Sequence, residues 1–162
     1  MVLTMRRQRI YIDTSVIGGC FDDEFAPWSN GLMKDFHAGL FVPVVSEVVT
    51  AEIEDGAPER IQRIYRELLA TSPEQVSVND QVTELADRYL ERQILTRKYY
   101  DDGLHIALAT VHEVDMVVSW NFRHIVHFDK IRRFNAVNLE LGYRTIEIYS
   151  PREVTSHGRE DV

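Results

Sequence analysis

The chain has 162 residues, with 18 Lys and Arg against 26 Asp and Glu for a formal net charge of −8, a size that fits one globular domain. A hydrophobic fraction of 44% beside 27% charged residues supplies apolar surface for a core and excludes a predominantly disordered chain. The single cysteine, Cys20, excludes an intramolecular disulfide framework and a zinc cluster of several cysteines, which leaves a reducing cytoplasm as the expected compartment.

The basic start, Met5 to Arg9, leads into only a few apolar residues before Asp13, far short of the roughly 18 that cross a bilayer, so neither a signal sequence nor a membrane span is expected. Arg9 to Ile12 then reads as a short strand ending at Asp13-Thr14-Ser15, whose polar side chains suit the start of a helix over Ser15 to Cys20. A second helix is predicted from near Pro27 through Phe36, stopped by Gly39. Phe41 to Val45 is the next strand, and Pro43 within it points to an edge position or the strand's beginning. Ser46 caps the helix that follows.

Pro58 to Leu69 places Ile61, Ile64, Tyr65, Leu68 and Leu69 at helical spacing, and Thr71-Ser72-Pro73 breaks it. Gln75 to Val78 is a weak strand. Asn79 is the N-cap of a helix from Asp80 to about Gln93, and Tyr99 to Asp102 introduce another running to Glu113. Met116 to Ser119 is a continuous apolar run, the pattern of a strand covered on both faces. A basic helix, Lys130 to Leu141, and a strand, Thr145 to Tyr149, complete the order. Strands alternating with helices predict an α/β domain with a mainly parallel sheet. Without internal repeats or biased linkers, residues 1–150 are expected to form one domain and residues 151–162 a polar, loose tail.

Open parallel sheets bind ligands outside the carboxyl ends of their strands, and acidic residues recur there. Asp13 closes the first strand, Glu52 lies in the helix after the second, Asp101 and Asp102 open the helix before the Met116 strand, and Asn121 follows that strand. Taken singly, an aspartate at a helix start is explained by capping and the helix dipole. Glu52 is sharper. Counting about 100° per residue from Val48, Glu52 falls near 40°, beside Val49 at roughly 100° and Ile53 at roughly 140°, on the apolar face. Glu47 and Glu54 fall on the opposite side. A carboxylate turned toward a core needs a basic side chain, a hydrogen-bond donor or a metal ion as its partner. Asp101 and Asp102 are harder to separate: Leu104, Ala107, Leu108, Val111 and Val114 form the buried stripe of their helix, Asp102 projects roughly opposite its centre, and Asp101 could be merely the N-cap.

Oxygen-only donors of this kind suit Mg²⁺ or Mn²⁺, whereas zinc would want nitrogen or sulfur. None of the six histidines forms a ligand pair near these acids, and His105 is the kind of helix histidine that is more often packed or exposed than a ligand. Net acidity argues against holding nucleic acid by overall charge. Basic residues nevertheless cluster at Arg6, Arg7 and Arg9, at Arg88, Arg92, Arg97 and Lys98, and at Arg123, His124, His127, Lys130, Arg132 and Arg133. Such clusters are usually solvated faces unless they border a reactive centre.

The segments Arg9-Ile10-Tyr11-Ile12-Asp13-Thr14-Ser15-Val16, Val48-Val49-Thr50-Ala51-Glu52-Ile53, Asp102-Gly103-Leu104-His105-Ile106-Ala107-Leu108-Ala109 and Asp115-Met116-Val117-Val118-Ser119-Trp120-Asn121-Phe122-Arg123-His124 resemble, in order and spacing, the motifs of PIN-domain nucleases, in particular small VapC-type toxin ribonucleases. The likeness spans residues 9–149. It implies a three-layer α/β/α sandwich and hydrolysis of RNA phosphodiester bonds with Mg²⁺ or Mn²⁺ held by Asp13, Glu52 and Asp102, and so favours Asp102 over Asp101 by analogy. Asn121 stands where many members carry a fourth acid, which weakens or removes a second metal site; its carbonyl remains a candidate ligand or water-orienting group. Thr14, Ser15, Arg123 and Lys130 become candidate substrate contacts. Trp120, Tyr99 and Tyr100 are candidate stacking residues, although aromatics are more often core. A small antitoxin partner and homodimerisation also follow from the resemblance alone.

Two rivals stand beside this reading. An aspartyl-phosphate phosphatase would use Asp13 as nucleophile but wants a second acid two positions later, where Ser15 stands. The stronger rival is a noncatalytic module of the same fold that binds RNA or a protein, made credible by Asn121.

Overall fold

Arg9–Ile12 forms strand β1, and its Ile10, Tyr11 and Ile12 are fully buried at the centre of a five-stranded parallel sheet. The structure is a computed structural model and describes residues 6–158. Met5, at the basic start, and residues 159–162 of the tail lie outside the described residues.

Helix α1 (Thr14–Gly18) follows β1 and passes through a 3-10 turn, Gly19–Phe21, into α2 (Ala26–His37), which has Pro27 in its first turn. Cys20, in that turn, is buried, which pushes its thiol up to about 11. Strand β2 (Val42–Ser46) leads into α3 (Glu47–Glu54), and Ser46 caps it by accepting the Val49 N–H. Helix α4 (Glu59–Leu69) and strand β3 (Glu74–Val76) follow. Asn79 then caps α5 (Asp80–Glu91), accepting the Val82 N–H at 2.9 Å. A 3-10 turn, Arg97–Tyr99, opens into α6 (Tyr100–Val111), which leads to β4 (Met116–Val118). Helix α7 (Phe128–Glu140), β5 (Glu147–Tyr149) and the short α8 (Pro151–Val154) complete the order.

The sheet order is β3-β2-β1-β4-β5 with every pair parallel. Helices α1 to α4 pack on one another with α8 against α2, while α5, α6 and α7 pack together, giving helical layers on both faces of the sheet. All three residues of β4 are buried, as its continuous apolar run predicts.

Pro43 lies in β2, an internal strand and not an edge, at its second residue. The Val42 N–H bonds the Gln8 carbonyl on the β1 side, so alternation turns the position of the missing Pro43 N–H toward β3. Pairing with β3 begins only at Val44, so no ladder bond is lost.

The tail is a correction. Residues 151–158 are docked rather than loose: Pro151 and Thr155 are buried, and the Glu153 carboxylate accepts the Ser150 N–H at 2.8 Å to cap α8. The buried Asp35 of α2 accepts from Thr155 Oγ1 at 2.8 Å, from the Ser156 N–H at 2.9 Å and from Ser156 Oγ. A polar composition suggested solvent, but one buried carboxylate satisfies these donors. Gly31 makes the approach possible, since a Cβ there would stand 2.6 Å from His157 Cβ. Among the described residues no helix is long and apolar enough to cross a membrane.

Candidate active site

Strand order reverses between β1 and β4, and a crevice at the carboxyl ends of these strands is where open parallel sheets place their sites. Asp13 leaves β1 there, 5% exposed, and its side chain makes no capping bond to α1 despite its N-cap position. Its carboxylate instead accepts from Ser15 Oγ at 2.6 Å and from Ser119 Oγ at 2.7 Å. Ser15 Oγ accepts the Trp120 N–H and Ser119 Oγ accepts the Asn121 N–H, each at 2.9 Å, which commits both hydroxyl protons to Asp13. The ends of β1 and β4 are thus tied through one carboxylate.

Glu52 takes the position its helical angle predicts. Val49 and Ile53 are buried beside it, while Glu47 and Glu54 are exposed. Its partners are hydrogen-bond donors and not an arginine: Thr14 Oγ1 donates to Oε2 at 2.5 Å, and His105 Nε2 lies 3.3 Å from Oε1. The other ring nitrogen of His105, Nδ1, lies 2.6 Å from the buried Tyr11 hydroxyl, itself 2.8 Å from Ser46 Oγ. His105 is a single histidine, not one of a pair, but it is packed among the acids, 3% exposed.

Location separates Asp101 from Asp102. Asp101 is exposed, whereas Asp102, expected opposite the buried stripe of its helix, is partly buried, with the Asn121 side chain acting to lower its carboxyl. The Asn121 carbonyl accepts the His124 N–H at 2.9 Å, which turns the amide toward Asp102. A second carboxylate at position 121 would face Asp102 with like charge.

Charge ties these groups into one cluster. Burial raises the Asp13 carboxyl above the usual aspartate value, with the Glu52 charge adding to it, against the lowering by His105, Ser15 and Ser119. Burial likewise raises Asp102, with Asp13 and Glu52 adding repulsion. For Glu52, burial is outweighed by the His105 and Thr14 hydrogen bonds and the His105 charge, so its carboxyl is lowered. For His105, burial is outweighed by the Glu52 hydrogen bond and the charges of Asp13, Glu52 and Asp102, so its imidazole is raised. Among the described residues, His105 is the only basic group within ion-pair distance of any of the three carboxylates.

Among the described residues, no three or more His, Cys, Asp or Glu side chains are drawn into a ligand cage. The donor chemistry nevertheless fits a hard divalent cation: carboxylates of which two are raised chiefly by burial and further by one another's charge, and an imidazole whose two nitrogens are engaged by Tyr11 and Glu52. Asp13, Glu52 and Asp102 are the residues whose oxygens could hold it.

Around this centre lie the basic and aromatic candidates. Lys130 Nζ donates to the Ile94 carbonyl at 2.7 Å, so one of its protons is committed within the fold. The Arg123 guanidinium and Lys98 ammonium lie 5.7 and 5.4 Å from the Tyr99 ring centroid, and the His124 ring centroid lies 3.9 Å from it. Trp120 is 7% exposed, donates from Nε1 to Ser29 Oγ at 2.7 Å and stacks on Phe25 at 4.1 Å, so it belongs to the core. Tyr100 donates to Asp87. The exposed aromatic beside the site is Phe122, 49% exposed, two residues beyond Trp120 in sequence and 6.1 Å from it between ring centroids.

Sequence reasoning had His105 as a packed or exposed helix residue, and packed it is, but missed its contact with Glu52 and the contacts of Tyr11 and Ser119. A signal existed for two of them: Tyr11 shares the strand face of Asp13 at i, i+2, and His105 shares the helix face of Asp102 at i, i+3.

No protein-family model matches the chain, and no curated protein matches it in sequence. In three dimensions it is similar to a chain in the crystal structure of VapBC2 from Rickettsia felis bound to a DNA fragment from their promoter. The TM-score is 0.55 at 15% identity, over 88% of this chain and 98% of that one. This shared fold is a three-layer α/β/α arrangement around a parallel sheet.

Proposed function

We propose that this chain is a metal-dependent endoribonuclease that hydrolyses RNA phosphodiester bonds and acts as the toxin of a toxin–antitoxin pair. The observation that carries the reading is the pair Asp13 and Asp102, two partly or fully buried carboxylates at the strand-order reversal, both raised by burial and repulsion, with no arginine or lysine paired to either among the described residues. The fold shared with a VapBC2 chain supports it.

Asp13, Glu52 and Asp102 are the residues that would hold Mg²⁺ or Mn²⁺, which supplies charge neutralisation on the nonbridging phosphate oxygens and acidifies an attacking water. Ser15 and Ser119 hold the Asp13 carboxylate in a fixed orientation. Asn121 orients Asp102. Glu52 accepts a proton from the attacking water, and Thr14 and His105 fix its two oxygens. Thr14, Ser15, Arg123 and Lys130 border the substrate, Arg123 beside the Tyr99 ring where it can meet a backbone phosphate. No protein nucleophile is required. An antitoxin partner and a homodimer belong to the same proposal and rest on the resemblance, and a cytoplasmic location belongs to it on the strength of the single cysteine.

Asn121 favours a second reading, a noncatalytic module of the same fold that binds RNA or a protein. One experiment decides between them: single-stranded RNA incubated with the purified chain in Mg²⁺, Mn²⁺ or EDTA, alongside Asp13→Asn. The nuclease cleaves only with the cation and loses cleavage, but not its fold, in the variant. Cleavage retained in EDTA or in Asp13→Asn overturns the mechanism, and an intact chain that never cleaves supports the module.

A further inference from the structure

We propose that Tyr11 and His105 are positioning residues for Glu52: the Tyr11 hydroxyl aims the imidazole so that its Nε2 proton is delivered to Glu52 Oε1, holding that carboxylate toward the crevice. This rests on the nuclease reading above and deepens it.

The polarity of the chain of hydrogen bonds follows from its fixed end. Ser46 Oγ accepts the Val49 N–H at 3.4 Å, which leaves its own proton for the Tyr11 oxygen at 2.8 Å. Tyr11 then donates to His105 Nδ1 at 2.6 Å, and a neutral imidazole that accepts at Nδ1 carries its proton on Nε2, 3.3 Å from Glu52 Oε1. If the imidazole holds both protons, Nδ1–H donates to Tyr11 and Tyr11 donates to Ser46, and the proton facing Glu52 stays in place. Because a phenol both donates and accepts, it serves either state; a phenylalanine serves neither.

The setting makes a merely space-filling histidine a poor account. Every residue of α6 from Gly103 to Thr110 is buried, and its neighbours Leu104, Ile106, Ala107, Leu108 and Ala109 are apolar. An imidazole in that row is tolerated because both nitrogens are matched, one from β1 and one from α3. The relay therefore couples the end of β2, the middle of β1, α6 and α3 to one oxygen of Glu52, while Thr14 holds the other. This is the arrangement by which outer groups fix the direction of a reacting or ligating carboxylate.

The test has two arms on the full-length chain. ¹⁵N NMR of the His105 ring is expected to show a proton on Nε2 in the wild type, exchanging slowly with solvent, and faster exchange or loss of that signal in Tyr11→Phe. In RNA cleavage, Tyr11→Phe and His105→Asn are expected to lower kcat by about 10- to 100-fold with KM little changed. His105→Gln, whose amide nitrogen reaches the Nε2 position, is expected to recover most of the rate, whereas His105→Asn reaches only the Nδ1 position. A neutral ring protonated on Nδ1 alone, or Gln and Asn variants impaired alike, or an unchanged kcat in Tyr11→Phe, overturns the proposal. A wild type that cuts no RNA removes the nuclease reading, and the ring proton and its response to Tyr11→Phe then decide the positioning claim by themselves.

Discussion

Ser119 Oγ, at the end of β4, donates to Oδ2 of Asp13, at the end of β1, across 2.7 Å. The hydroxyl is fully buried and also accepts the Asn121 N–H, so it has no solvent to replace a lost partner. Ser119→Ala leaves a buried carboxylate oxygen and a backbone N–H short of partners. It is expected to destabilise the fold by about 1–3 kcal/mol, read as a lower urea midpoint with an unchanged slope. A midpoint within error of the wild type would show that the Asp13 orientation does not depend on Ser119.

Crowded carboxylates gain most from a cation that binds only the folded state. Mn²⁺ is expected to raise the melting temperature of the wild type, with about 2.7 kcal/mol of added stability at a concentration 100 times its dissociation constant. Asp102→Asn should lose most of that gain. The same variant without metal should melt at or above the wild-type temperature, because repulsion with Asp13 and Glu52 and the burial of charge are removed.

Arg9 and Glu74 give the clearest pH signature. Arg9 Nε donates to Glu74 Oε2 at 2.8 Å, and a second guanidinium nitrogen pairs with Oε1. The Arg9 hydrogen bond lowers the Glu74 carboxyl below its ordinary value. A lowered folded pKa means the contribution is present above the unfolded value and is lost as pH falls through the folded one. Glu74 is 36% exposed, so Glu74→Gln is expected to cost only about 0.2–1 kcal/mol at neutral pH after solvent screening. The gap between wild type and variant should close in acid below the usual glutamate range. A gap that widens in acid would reverse the assignment.

Asp35 binds Thr155 and Ser156 to α2 through three donors. Asp35→Ala is expected to cost about 1–3 kcal/mol and to open residues 151–158 to limited proteolysis, detected by mass spectrometry. Gly31→Ala should produce the same cleavage, since its Cβ meets His157.

Phe122 is exposed, with its ring 6.3 Å from that of Phe25 in a tilted pair and 6.1 Å from that of Trp120 in an edge-on one. Phe122→Ala should leave stability within about 0.5 kcal/mol of the wild type. Loss of RNA affinity equivalent to about 1–3 kcal/mol would mark it as a stacking platform for an unpaired base. Unchanged affinity removes that role.

The architecture could be read from the chain because its signals are local. β1 and β4 are short apolar runs flanked by polar residues, and the Glu52 angle needs only the neighbouring six positions of one helix. Ser46 and Asn79 cap where their side chains predict. Helix α7 begins at Phe128, ahead of Lys130, because His127 supplies the cap, a residue type that rarely signals one. The gathering of Asp13, Glu52, Asp102 and Asn121 near the carboxyl ends of β1 and β4 could be expected from the chain order, whereas the hydrogen bonds between the groups that surround them could not. Tyr11 and His105 are 94 positions apart, and only the pairing of β1 with the sheet beneath α6 brings phenol and imidazole together. Lys130 and Arg133 read as free cations, yet each donates to a backbone carbonyl of the segment between α5 and α6, at Ile94 and Arg92. The docked tail was hidden for the same reason, since its polar residues are matched by an acid 120 positions earlier.

Cys20 lies under α2 with its thiol raised to about 11, so at neutral pH it offers almost no thiolate to an electrophile. The chain is consequently a ready host for site-selective dyes and spin labels. A maleimide can be directed to Lys34→Cys or Ala51→Cys, both on exposed helical surface, with the natural cysteine left in place and silent. Distances between such probes would then follow α2 and α3 as RNA is added, with no background from the interior.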